Sequence, residues 1–196
     1  LVAIKNIGRG FIQSVVRERE QGGSFTSLQD FCDRMYDCGD MNKRAVENLI
    51  RSGAFDSMGA RRSQLLAVYE KVLDGIGNVR RRNVEGQIDF FGMSAANSTV
   101  ETVVMPDIPE FTATERMHME KETTGLYLSG HPMVGYRAAA RSSGAVTLNE
   151  ILEDVSSEEG PTRFADGMPV TVAGIVASSK TRPTKNGTLM AYVVLE

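Results

Sequence analysis

Ala3-Ile4-Lys5-Asn6-Ile7-Gly8-Arg9-Gly10 decides the fold: an apolar stretch, a tight turn of the type small–Ile–Gly, then the start of an amphipathic helix. That order predicts a helix-hairpin-helix element. Its chemistry is sequence-independent phosphate binding. Backbone N–H groups in the hairpin and at the helix start point at an anion, and glycine permits the close approach. Lys5 and Arg9 add charge, so affinity for a nucleic acid should fall with salt. The predicted DNA-contacting set here is Lys5, Asn6, Ile7, Gly8, Arg9 and Gly10. A second, weaker copy follows about 45 residues on. Asn42–Ser52 reads as a helix, Gly53-Ala54-Phe55 as a hairpin, and Arg61-Arg62 stand at the next helix start. Lys43, Arg44, Gly53, Ala54, Arg61 and Arg62 join the predicted DNA set.

Working outward, residues 1–78 read as one all-helical module. Phe11, Ile12, Val15 and Val16 fall at helical spacing in a segment that stops at Gly22-Gly23. Ser27, three residues before Asp30, opens a second helix in the manner of a capping box, with Leu28, Phe31, Cys32 and Met35 as its apolar stripe. Asn42 caps the third, whose inward residues are Ala45, Val46, Leu49 and Ile50. The fourth is predicted over Arg61–Leu73 with Leu65, Leu66, Tyr69 and Leu73 inward, ending at Gly75 and Gly77. Residues 79–111 lose helical periodicity and read as an exposed linker. Residues 112–155 read as connecting helices: one capped by Thr112 or Thr114 through Tyr127 and ended by Ser129-Gly130-His131-Pro132, then short ones near 134–141 and 148–154. From Met168 the period becomes that of strands, in Val170–Val176 and Leu189–Leu195, with a hairpin signal at Asn186-Gly187. The fold class expected is therefore mainly α, with a β segment of two strands over 168–196.

The chain has 196 residues and a formal net charge of −3. That figure is a cancellation. Residues 1–82 hold 14 Lys and Arg against 10 Asp and Glu, and residues 83–196 hold 8 against 15. The basic excess sits on the helical half. The longest apolar run, Leu189–Leu195, is seven residues, far short of the ~18 a membrane span needs, so no membrane partner is expected. Two cysteines, Cys32 and Cys38, make no disulfide framework and suit a reducing, cytoplasmic location. Their spacing with His118 and His131 is not that of a zinc site, so no metal ligand is assigned. No carboxylate pair suited to two catalytic metals is visible, and no catalytic residue is assigned. The first residue is not Met and the last lie in a strand-like run, so the chain reads as a piece of something larger.

Asn42–Asp56 resembles a signature of the bacterial replicative DNA polymerase III alpha subunit family. So do Ala3–Gly8, Gly86-Gln87 with Phe91-Gly92, Gly125–Pro132, and Thr184–Gly187 with Met190-Ala191, in that family's order. One departure is Asn6, where the family usually has Gly; Asn tolerates a left-handed backbone better than most residues. The resemblance implies a tandem helix-hairpin-helix domain, a clamp-binding linker and the start of an OB-fold. It further implies a DNA-directed DNA polymerase whose palm aspartates and magnesium lie elsewhere, leaving this stretch inactive by itself. Gln87-Ile88-Asp89-Phe90-Phe91, two aromatics on a polar strip, is similar to the peptide that docks on the sliding clamp: Gln87 for a polar subsite, Phe90 and Phe91 as anchors. Partners implied are duplex DNA, the clamp and other replicase subunits. Lys180, Arg182 and Lys185, on the predicted hairpin, are candidates for single-strand contact.

Two other readings compete. A structural connector would bury the hairpin faces at Asn6–Gly10 and Gly53–Phe55. A nuclease on the same hairpins would require a metal-binding constellation.

Overall fold

Two helices of the first half begin where a side chain takes an orphan amide of the first turn. Ser27 Oγ accepts from Asp30 N (3.0 Å) and starts α2, Leu28–Met35. The Asp30 carboxylate returns to Thr26 N, one residue before the cap, and not to Ser27. Asn42 Oδ1 accepts from Ala45 N (3.0 Å) and starts α3, Lys43–Arg51. α1, Arg9–Gly22, starts at Gly8 with no side-chain cap. The computed structural model describes residues 4–39, 41–84, 103–158 and 160–196, and the chain divides into two units between Ser129 and Gly130.

In the first unit the predicted stripes of α2 (Leu28, Phe31, Cys32 and Met35) and α3 (Ala45, Val46, Leu49 and Ile50) are buried, whereas of the α1 stripe only Phe11 is buried and Ile12, Val15 and Val16 are half-buried. Phe31 is the centre of the packing. Its ring meets Phe11, Phe25 and Phe55 edge-on, at 6.4, 5.0 and 5.1 Å between centroids, an arrangement favoured by the ring quadrupole. Ile4 and Ile7 of the first hairpin and Phe55 of the second belong to the same core. Apolar burial therefore pins both hairpins to one body.

α4, Arg62–Val84, departs from the sequence expectation. It runs through Gly75 and Gly77. Each glycine costs roughly 1 kcal/mol in a helix interior, but tertiary contacts offset this. Ile76 between them is fully buried, and a Cβ on Gly77 would lie 2.8 Å from Tyr36 Oη. Arg80 bonds Asp33 and Asp37 and lies over the Tyr36 ring. The inward face is Leu65, Val68, Val72, Leu73 and Ile76, with Leu66 and Tyr69 at its edge.

α5, Ala113–Thr124, has the full capping box of Thr112 and Glu115. It ends earlier than the sequence suggested, at Gly125 with φ +79°, whose N–H donates to Lys121 O. A left-handed glycine is a common helix terminator.

The second unit holds a 3₁₀ turn (Pro132–Tyr136), α6 (Arg137–Ser142), α7 (Leu148–Val155) and an antiparallel pair, β1 (Val176–Pro183) and β2 (Leu189–Leu195). The first strand lies later than its β-branched residues suggested. Thr184 and Thr188 close a three-residue loop, Lys185-Asn186-Gly187, with Gly187 at φ +75°. Counting back from that loop pairs Pro183 with Leu189, Arg182 with Met190 and Lys180 with Tyr192. Turn geometry sets register, so the polar run Ser178–Pro183 becomes the strand. Both strands are exposed throughout, and no third strand among the described residues joins them.

Candidate nucleic-acid interface

The first hairpin is built to face outward. Ile4 and Ile7 point into the core and the residues between and after them stay exposed: Lys5, Asn6, Gly8, Arg9 and Gly10. Ile7, predicted among the DNA contacts, instead gives its side chain to the interior. Lys5 N donates to Thr123 O and Asn48 Nδ2 donates to Lys5 O, both 2.8 Å, so α5 and α3 hold the loop from behind. Asn6 adopts φ +61°, the left-handed turn conformation expected of it. Gly8, the cap of α1, has no side chain and so bonds none of the first-turn amides of that helix. Asn6 also lines an open depression with Asn42, Lys43 and Arg44, so the first turn of α3 lies beside this loop. Lys43 Nζ sits 3.0 Å from Asp74 and 3.8 Å from Glu70. Asp74, chiefly through its hydrogen bond, raises the Lys43 pKa.

The second hairpin is organised differently. Gly53 (φ +83°) and Ala54 donate to Ile50 O and Leu49 O, both 3.0 Å. This is a Schellman closure of α3, and it consumes the two amides that a phosphate would need. At the start of α4, Arg62 N and Ser63 N donate to the two carboxylate oxygens of Glu110, at 2.8 and 3.2 Å. Arg61 N donates to Gln64 Oε1. Arg61 Nη1 donates to Ile108 O (2.8 Å) and lies 3.4 Å from Asp107 Oδ1, and Gln64 Nε2 donates to Pro106 O. The segment 106–110 thus crosses the start of α4.

Arg62, expected at the DNA surface, is 3% exposed. Its guanidinium grips both Asp56 oxygens (2.8 and 2.6 Å), Arg51 O and Glu120 Oε1 (2.9 Å). Three carbonyl and carboxylate partners inside the fold outcompete solvent for its fork of donors. Glu120, fully buried, also accepts from Leu128 N and Ser129 N at 2.8 Å each. Burial pushes its carboxyl up, but the N–H of Ser129, Arg62 and the N–H of Leu128 outweigh that and hold it low. Sequence reasoning missed Glu110 and Glu120 because acids carry no periodic signal of burial. Glu120 sits on a helix, ATERMHMEKETT, with no continuous apolar stripe to mark its buried side.

Gln87, Ile88, Asp89, Phe90 and Phe91 lie outside the described residues. In the second unit, Lys180 and Arg182 share a sheet face with Tyr192 and Met190, their direct cross-strand partners, and Lys185 lies in the loop. Among the described residues no three His, Cys, Asp or Glu side chains converge as a metal site, so none is assigned to hold the magnesium that a polymerase uses. No helix among them is long and apolar enough to cross a membrane.

An exposed, glycine-started hairpin beside a second one built into the same core defines a helix-hairpin-helix unit, and residues 1–65 match the helix-hairpin-helix motif family. Across its length the chain is homologous to one stretch of DNA polymerase III subunit alpha. It is 34% identical to that subunit of Vibrio cholerae over 195 residues, 99% of this chain and 16% of the relative. The Pseudomonas aeruginosa subunit is 32% identical over 212 residues, covering 100% of this chain and 17% of that protein. The Thermus aquaticus subunit is 33% identical over 195 residues, covering 100% and 15%. The chain thus spans roughly a sixth of the length of the curated relatives it matches.

Proposed function

We propose that this chain grips duplex DNA through its phosphates, without reading sequence, as part of a replicative DNA polymerase. The observation that carries the reading is the first hairpin. Lys5, Asn6, Gly8, Arg9 and Gly10 stand exposed around an uncapped helix start, beside Lys43 and Arg44. Such a start attracts anions through its N–H groups and dipole. Polymerization, with its magnesium and its fellow replicase subunits in the cytoplasm, is proposed for the whole protein; this stretch serves as an inactive tether. The Gln87–Phe91 peptide is proposed to dock on the sliding clamp, where two modest contacts on one chain raise residence by effective concentration. The Lys180, Arg182 and Tyr192 face, with Lys185, is proposed to contact single strands by charge and stacking.

Fluorescence anisotropy with a short duplex tests the central claim. Four cations near the phosphates give a slope of roughly −3.6 in log affinity against log salt. Affinity then falls on the order of 100-fold between about 50 and 200 mM salt. A chain that binds no duplex at low salt, or binds it without salt dependence, overturns the reading. For the clamp, a Phe90→Ala, Phe91→Ala double variant should fail to be pulled down with the ring; retention would count against that assignment.

A further inference from the structure

The two hairpins look equivalent in sequence, and the structure makes them opposites at the groups that matter for an anion. We propose that the second hairpin takes no DNA phosphate, because Glu110 already fills its anion seat, and that the duplex grip rests on the first hairpin and the start of α3 alone. This rests on the duplex-binding reading above and goes beyond it by dividing the work between the two elements.

Glu110 does at the start of α4 what a phosphate would do. One oxygen accepts from Arg62 N and the other from Ser63 N and Phe111 N. The residues around it complete the arrangement. Arg61, the exposed cation next to this seat, is turned to Ile108 O and Asp107, on the strap that carries Glu110. Arg62 is directed inward to Asp56 and Glu120. The amides of Gly53 and Ala54 are spent on closing α3. Burial raises the Glu110 carboxyl, yet the N–H groups of Phe111, Arg62 and Ser63 outweigh it and keep the group below the ordinary carboxylate value, so the occupant stays charged at neutral pH.

A tethered carboxylate competes with a free phosphodiester at high effective concentration. A phosphate entering this seat must also break the strap's bonds from Arg61 and Gln64. At the first hairpin Lys5 N and Ile7 N are also spent, on Thr123 O and Ile4 O, but among the described residues no carboxylate sits on the start of α1: the cap is a glycine, and the flanking Lys5 and Arg9 are exposed. The outcome is one open hairpin for the ligand and one closed hairpin that docks α5 and the 106–110 strap onto α3 and α4.

Amide shifts on titrating the ¹⁵N-labelled chain with a short blunt duplex separate the two elements. Expected are shifts at Asn6, Gly8, Arg9, Gly10 and Arg44, with Arg62 and Ser63 silent. Lys5→Glu with Arg9→Glu should weaken duplex binding about tenfold or more and lower the salt slope by about 2. Arg61→Glu should change affinity less than about twofold, since no phosphate contact is lost. In Glu110→Ala the Arg62 and Ser63 amides should both begin to respond to duplex; the milder Glu110→Gln, which keeps one acceptor oxygen in the seat, should free only one of the two. Wild-type shifts at Arg62 and Ser63 as large as those at Gly8 and Gly10, or an Arg61→Glu loss matching that of the Lys5/Arg9 variant, would overturn the proposal while leaving duplex binding intact. Silence at Arg62 and Ser63 in Glu110→Ala would overturn Glu110 as the cause. A wild-type chain that binds no duplex overturns both readings.

Discussion

Replacing Glu120 by glutamine keeps the shape of the side chain and removes its charge, which isolates the buried ion pair. In the folded chain, one oxygen of Glu120 accepts from Arg62 and the other accepts from Leu128 N and Ser129 N. Glutamine offers one oxygen and one NH₂. If the oxygen serves the two backbone amides, the NH₂ faces the Arg62 guanidinium, donor against donor. If it serves Arg62, two backbone N–H groups lose their acceptor. With both residues at most 3% exposed, water cannot repair either arrangement. Breaking a buried, hydrogen-bonded pair by one partner costs about 3 kcal/mol. For a unit of this size that lowers Tm by roughly 10 °C. Urea denaturation at pH 7 followed by far-UV circular dichroism measures the change; the chain has no tryptophan to follow by fluorescence. Arg62→Met supplies the second arm of a double-mutant cycle. Because each single variant leaves a buried polar atom of the other partner without its hydrogen bond, the double should cost less than the sum by about 2 kcal/mol. A Glu120→Gln loss below about 1 kcal/mol, or strict additivity in the cycle, refutes the reasoning.

Gly53→Ala should destabilise by about 3 kcal/mol: the residue has φ +83°, and a Cβ would lie 2.3 Å from Arg62 Nη2. Gly125→Ala, at φ +79° with open space around it, should cost only about 1 kcal/mol by the same denaturation assay; equal losses would show that Arg62 does not hold the hairpin. The Asp154 carboxyl, accepting from Phe164 N, Arg163 N and Thr162, is lowered to about 2. Its contribution to the 160–164 loop is therefore complete above the ordinary carboxylate value and lost as pH falls toward 2. The amide shifts of Arg163 and Phe164 should report that transition in wild type and lack it in Asp154→Asn. Cys32, whose thiol is pushed up to about 12 by burial and secondarily by Asp33, should resist iodoacetamide in the native chain, while half-exposed Cys38 reacts; mass spectrometry should find the first label on Cys38, and Cys32 labelled only in denaturant.

Much of the helical unit is legible from local chemistry. Ser27, Asn42 and Thr112 mark helix starts because their side chains bond amides within three residues, an interaction that needs no distant partner. Ile4, Ile7 and Phe55 reach the core because apolar residues flanking a tight turn have one sheltered side. The strands show where locality ends. The loop at Lys185–Gly187 sets a register in which the polar Lys180, Thr181 and Arg182 face Tyr192, Ala191 and Met190 and Val176 faces Leu195, a pairing that side-chain type alone does not announce.

The sequence by itself determined that two hairpins of the same kind occur, where their helices begin, and that the basic excess lies with them. Those properties depend on neighbours a few residues apart and on counting. Only the tertiary structure decided which hairpin stays open. Glu110 reaches Arg62 and Ser63 across nearly fifty residues, and Glu120 reaches Arg62 across nearly sixty. A carboxylate in sequence carries the same formal charge whether it faces water or fills an anion seat. The difference lies in which donors the fold brings within about 3 Å of it. That is also why Arg62, basic and next to a hairpin, read as a DNA contact and became an internal brace.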